Sequence, residues 1–214
     1  MEKINQIRNV SIWIFILPVT ALNLCLFVSV NYFLFENTIF QVDEIGRTAF
    51  TIPYIDGSVS ISRTARTYPT YLIFKPAMIL TAILLIKYWI ANNKLIGTVN
   101  NEINKNKYFL IFGVGSALFL ILHSIFLGIK FDYDLYKFFR RFLILGFIIF
   151  EIIAQALLVI SIFKMKEKIE KFINKKILIL KIILVSILTI TALVSLPFFH
   201  FKLSYSNLNL LRFF

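Results

Sequence analysis

The sequence predicts an all-α fold: a bundle of about five membrane-crossing helices forming one integral membrane domain over residues 1–214. Three observations predict it. Hydrophobic residues make up 59% of the chain and charged residues only 16%, a balance too apolar for a soluble domain of this length. The apolar residues gather in long runs at about 10–35, 71–90, 108–129, 142–163 and 177–199, each close to the roughly 20 residues needed to cross ~30 Å of hydrocarbon. No strand alternation persists for more than a few residues. A spanning sheet would have to close into a barrel, so helices are the economical way to satisfy every backbone N–H and C=O in lipid.

Each element follows from its own residues. The first run continues to about Phe35 without a small-residue cleavage site, which favours a retained helix over a signal peptide, and Pro18, Asn23 and Asn31 interrupt it. Residues 36–70 form the longest segment outside the spans. The second span carries Lys75 and Pro76 in its first turn and Lys87, Tyr88 and Trp89 toward its far end, an aromatic and basic anchor. In the third, Gly113, Gly115, Ser116 and Gly128 offer small surfaces where a neighbouring helix can approach closely. Residues 130–141 read as a short charged loop before the fourth span. That span places Glu151 and Gln155 one turn apart, on one face. A lysine-rich connector precedes the fifth span, where Lys181 reads as snorkelling to the surface, and the tail from Phe201 is too short to cross and reads as interfacial.

The net charge of +12 comes from Lys and Arg flanking the apolar runs, where they set topology and meet anionic lipid. Nucleic acid is therefore not an expected partner. With a cytoplasmic N-terminus, eleven flanking Lys and Arg fall on that side and nine on the other, spread over longer segments. The expected orientation is N-terminus inside and C-terminus outside. Cys25, alone and inside the first span, excludes an intrachain disulfide and a thiolate metal cluster. His123 and His200 lack metal-ligand spacing, so neither a metal nor a cofactor is implied.

Polar groups in the apolar runs converge beneath the first loop. Asn31, Lys75 and His123 fall in the outer half, and Glu151 and Gln155 near the middle. A charge at a helix centre costs about 2.5 to 3.5 kcal/mol on insertion scales, so Glu151 requires an interior partner. His123 or Lys75, reached through other polar groups, is the expected one. Glu151 and Gln155 can equally serve as polar glue between helices. In the loop, Arg63 and Arg66 are three residues apart among serines and threonines, suited to clamping a phosphate. A solvated basic loop accounts for them as well. Asp56 precedes Gly57 and reads more readily as a turn former than as a base. No GxSxG motif or glycine-rich phosphate cradle is present.

Pro53-Tyr54-Ile55-Asp56 after the first span, followed by a proline and by Ile73-Phe74 leading into a second span with Met78 and Ala82, resembles the DRAM/Sfk/FRAG group of polytopic membrane proteins. The likeness covers about 30 residues; the group's motif carries a serine before the aspartate and Pro-Glu where this chain has Pro69-Thr70, and its members have typically six spans. The resemblance implies a role in handling membrane lipid, with the outer loop and adjoining helices as the working surface.

The expected function is thus lipid handling or sensing, in which Arg63, Arg66, Lys75, Asn31 and Gln155 contribute to binding an anionic headgroup in an outward-facing cavity. Catalysis is not the favoured reading; its candidate residues are His123, Glu151 and Asp56. The alternatives are a small proton-coupled transporter using Glu151 and His123, and an intramembrane lipid transferase or hydrolase with His123 as general base. Membrane lipids are the expected partners, with a second copy or another membrane protein left open. The abundance of Ile, Lys, Asn and Phe leans toward a bacterial plasma membrane.

Overall fold

The computed structural model describes residues 2–41, 54, 64–99, 107–129, 134–164 and 175–200. The fold is all-helical, as predicted: α1 is Glu2–Val30, α2 Tyr71–Val99, α3 Tyr108–Phe126, α4 Asp134–Lys164 and α5 Lys175–His200, with a 3-10 turn at Tyr32–Phe35. Four segments, Ile4–Val30, Tyr71–Thr98, Tyr108–Phe126 and Phe138–Lys164, are long and apolar enough to cross a membrane, while the described apolar part of α5, Leu178–Val194, is shorter. The chain is an integral membrane protein.

Several boundaries differ from expectation. The first helix ends at Val30, and residues expected to complete its span form the 3-10 turn. Helix α2 runs on to Val99, through Asn92, Asn93 and Lys94, and α4 starts at Asp134, inside the stretch read as a loop. The physical reason is common to both: charges and amides mark where lipid gives way to water, and a helix can cross that boundary unbroken. At the other end of the third span, α3 stops at Phe126 because Gly128 takes φ +88°, a left-handed conformation that favours glycine and turns the chain.

The helices form a sequential array. Each packs on the next, most extensively α3 on α4, then α1 on α2 and α2 on α3, with α4 on α5 the lightest contact. Two clusters form the interior. One joins Ala82, Leu85, Trp89 and Ile96 of α2 to Phe109, Ala117 and Leu120 of α3 and Ala154 and Leu158 of α4, with Ile7, Val10 and Ile14 of α1 packed alongside. The other, toward the opposite end, gathers Cys25, Ala65, Phe74, Met78 and Leu127.

The glycines explain how α3 fits between its neighbours. A methyl group at Gly113 would sit 2.2 Å from the Trp89 ring. One at Gly115 would sit 2.8 Å from Phe150, and one at Gly146 2.9 Å from Phe119. Bare backbone thus receives an aromatic ring on each side of α3, a close approach of the kind that stabilises helices in lipid by dispersion. Outward, large apolar side chains such as Phe15, Phe27, Ile111, Phe163 and Leu180 are exposed, which suits contact with acyl chains. Exposed polar groups on these faces are satisfied within their own helices: Ser11 donates to the Ile7 carbonyl, Thr20 to Ile16, and Thr191 to Ile187.

Candidate functional site

Two polar arrangements occupy different depths. The first begins where the described end of the first loop, Thr64–Thr70, folds onto the bundle. Thr64, Ala65 and Thr70 are buried. The Thr67 hydroxyl donates to the Thr64 carbonyl at 3.0 Å, and the Thr70 hydroxyl lies within bonding distance of the Thr64 and Thr67 carbonyls. Cys25 of α1 donates its S–H to the Thr70 carbonyl at 3.4 Å. Two tyrosines tie more of the loop down: Tyr54 donates to Asn23 Oδ1 at 3.0 Å, and Tyr68 to the Ile39 carbonyl at 2.7 Å.

Beside this plug, cationic residues from three segments meet at the carbonyl end of α3. Lys75 Nζ donates to the Ile125 carbonyl at 3.3 Å and lies 5.5 Å from the centre of the Tyr71 ring. The Arg66 backbone lies against Gly128. Arg140 stacks its guanidinium 5.2 Å from the centre of the Tyr136 ring, and Tyr136 donates to the Phe126 carbonyl. The cations complement the partial negative charge that accumulates at a helix C-terminus. Arg140 also reaches His123 electrostatically. Among the described residues, Nε of Arg140 and Nδ1 of His123 are buried with no hydrogen-bond partner.

The deeper arrangement centres on Glu151. It is equidistant from the ends of Phe138–Lys164 and is the sole Asp or Glu within the four spanning segments. Its Oε2 lies 2.7 Å from the Ser116 hydroxyl of α3, and its Oε1 accepts from Gln155 Nε2 at 2.9 Å. Trp89 of α2 brings its indole N–H close to the carboxyl, though outside hydrogen-bonding geometry. Lys181 of α5 acts on the carboxyl electrostatically while its Nζ donates to the Tyr88 hydroxyl at 3.3 Å. The partners of Glu151 are therefore Ser116 and Gln155, with Lys181 as the near cation, and not His123 or Lys75. Both of those residues lie toward the carbonyl end of α3, where His123 is nearly two turns beyond Ser116 and Lys75 reaches the Ile125 carbonyl.

The remaining expected residues divide. Gln155 belongs to the Glu151 cluster, donating to one oxygen of its carboxyl group. Asn31 donates to the Phe27 carbonyl of its own helix at 2.9 Å. Ser124 donates to the Leu120 carbonyl. Asp56 and Arg63, with the loop serines, lie outside the described residues. Among the described residues, no group of three His, Cys, Asp or Glu could hold a metal ion. Sequence reasoning missed Arg140 and Lys181: one was counted as loop charge and the other as a snorkelling surface lysine. The aromatic partner at each place, Tyr136 and Tyr88, was the available signal.

Comparison with protein-family models, with curated proteins and with solved structures gives no match for this chain.

Proposed function

We propose that this integral membrane protein handles or senses membrane lipid, and that the basic rim formed by Arg66, Lys75 and Arg140 at the end of α3 takes an anionic headgroup. The observation that carries this reading is the meeting of the Lys75 and Arg140 side chains at the carbonyl end of α3, with the Arg66 backbone beside Gly128, where buried Arg140 Nε and His123 Nδ1 lack a partner among the described residues. A phosphate offers several strong acceptors, and an arginine fork matches their geometry. The surrounding rings and the apolar outer faces of α3 and α4 suit the acyl chains of the same molecule. Relative to the sequence-based expectation, Arg140 joins His123 and Lys75 in the proposed site, while Asn31 and Gln155 are left out of it. The plasma membrane of a bacterium, with the N-terminus cytoplasmic and this rim at the outer face, is supported by composition and by the Lys and Arg distribution.

The test is thermal stabilisation of the detergent-solubilised protein by a short-chain phosphatidylglycerol against the matching phosphatidylcholine. The anionic lipid should stabilise selectively. Lys75→Gln combined with Arg140→Gln should weaken that response about tenfold, as loss of charge-assisted hydrogen bonds would. Equal responses to the two lipids, or an unchanged double variant, would sink the proposal.

A further inference from the structure

A mid-membrane carboxyl poses a question of proton counting. Ser116 Oγ lies 2.8 Å from the Gly113 carbonyl and 2.7 Å from Glu151 Oε2. A hydroxyl has one proton to donate, and a carbonyl can only accept. If Ser116 donates to Gly113, its contact with Glu151 is a hydrogen bond only when Oε2 carries a proton and donates it. Gln155 then donates to the remaining oxygen at 2.9 Å, and the run from Gln155 through Glu151 and Ser116 to Gly113 is complete. An ionised carboxylate would instead have to share the Ser116 proton with a competing carbonyl, and would hold a full charge at the centre of the span with the Gln155 amide as its one undivided donor.

The charged form nonetheless has a countercharge within reach. Helix α4 packs on α3 and α5. From α3 the carboxyl meets Ser116, with His123 nearly two turns away; from α5 it meets the field of Lys181; and α2 contributes Trp89 and the Tyr88 hydroxyl that now holds Lys181. We infer that Glu151 is an intramembrane proton-binding site, protonated in the arrangement seen here, whose release of the proton to water leaves a carboxylate that Lys181 neutralises from α5. The step is balanced: the O–H bond of Oε2 breaks, its electron pair stays on the oxygen, and the ammonium of Lys181 transfers its attraction from Tyr88 to the new charge. Proton occupancy thereby becomes linked to the docking of α5, a role separate from the headgroup rim and independent of it.

The experiment uses the full-length protein in detergent with the hydrophobic reagent dicyclohexylcarbodiimide. A carboxylic acid adds its O–H across one C=N bond; the carboxyl oxygen bonds to carbon, the proton goes to nitrogen, and the adduct rearranges to an N-acylurea with no atom lost. Mass spectrometry should find the adduct on the peptide containing Glu151 at about pH 6, fading toward about pH 9 as the proton leaves. At the alkaline end, Lys181→Met should label several-fold more heavily than the unaltered protein because the carboxylate has lost its countercharge. A second readout needs no modification: with Trp13→Phe leaving Trp89 as the one indole, its emission should change with pH, and the change should vanish when Glu151→Gln is added. The inference is overturned by absence of the adduct throughout that pH range, by an unchanged Trp89 titration in the Glu151→Gln protein, or by protection with sodium at fixed pH, which would make the site one for a metal cation.

Discussion

At the scale of single residues, the strongest constraints are at glycines whose surroundings differ. Gly113 is held by space: its neighbour is an aromatic ring already in contact. Gly113→Ala should destabilise the detergent-solubilised protein by about 1–3 kcal/mol through forced displacement of Trp89, seen as a lower midpoint of thermal unfolding. Gly128 is held by backbone conformation, since an added Cβ would come no closer than 3.5 Å to Arg66. Gly128→Ala should cost about 1 kcal/mol, and Gly128→Asn less, because asparagine tolerates left-handed backbone better than alanine; the same unfolding measurement ranks them. The small residues of α3 were legible as contact surfaces because side-chain size reports directly on how near a helix can come. The depth of Glu151 was legible too, by counting residues along a helix. Its partners were not. Periodicity says which face a residue occupies but not which neighbouring helix presents a hydroxyl there, and so Ser116 could be seen as small without being seen as the partner of Glu151.

At the scale of elements, sequence reading located every described helix and misjudged several ends. Hydropathy responds to the solvent around a side chain, whereas a helix ends where its backbone finds another partner. Helix α4 continues through Arg140 and Arg141, and the interface it crosses leaves the hydrogen-bonded backbone intact. The end of α3, by contrast, is built from tertiary bonds invisible in a hydropathy profile. Lys75 and Tyr136 each donate to one of its last carbonyls. Tyr136→Phe should therefore cost about 1 kcal/mol, the net worth of one hydrogen bond, and should speed amide exchange at Leu127 and Ile129, whose N–H groups donate to carbonyls in that last turn. Loss of protection confined to α4 would contradict this.

For the whole molecule, the bundle and its membrane residence were legible because lipid leaves so few alternatives to a helix. The first loop was legible only as the place where polar groups converge; how Thr64–Thr70 seats against Cys25 depends on contacts between distant parts of the chain. The alternation of helices requires the residues after α1 and those before α3 to lie on opposite membrane faces. In a Cys25→Ala protein, Glu36→Cys should react with an impermeant maleimide added outside intact cells, and Lys107→Cys only after permeabilisation; labelling of both from one side would refute the orientation. The sequential packing of the helices also bears on biogenesis. From α2 onward, each described helix packs on the one synthesised just before it, so a chain emerging from the ribosome can assemble as it is inserted, without waiting for distant segments. Ser116 is already in the membrane when Glu151 arrives, and Gln155 follows it within a turn. The costliest side chain in the bilayer is therefore received by a hydroxyl laid down one helix earlier, and the countercharge on Lys181 joins last.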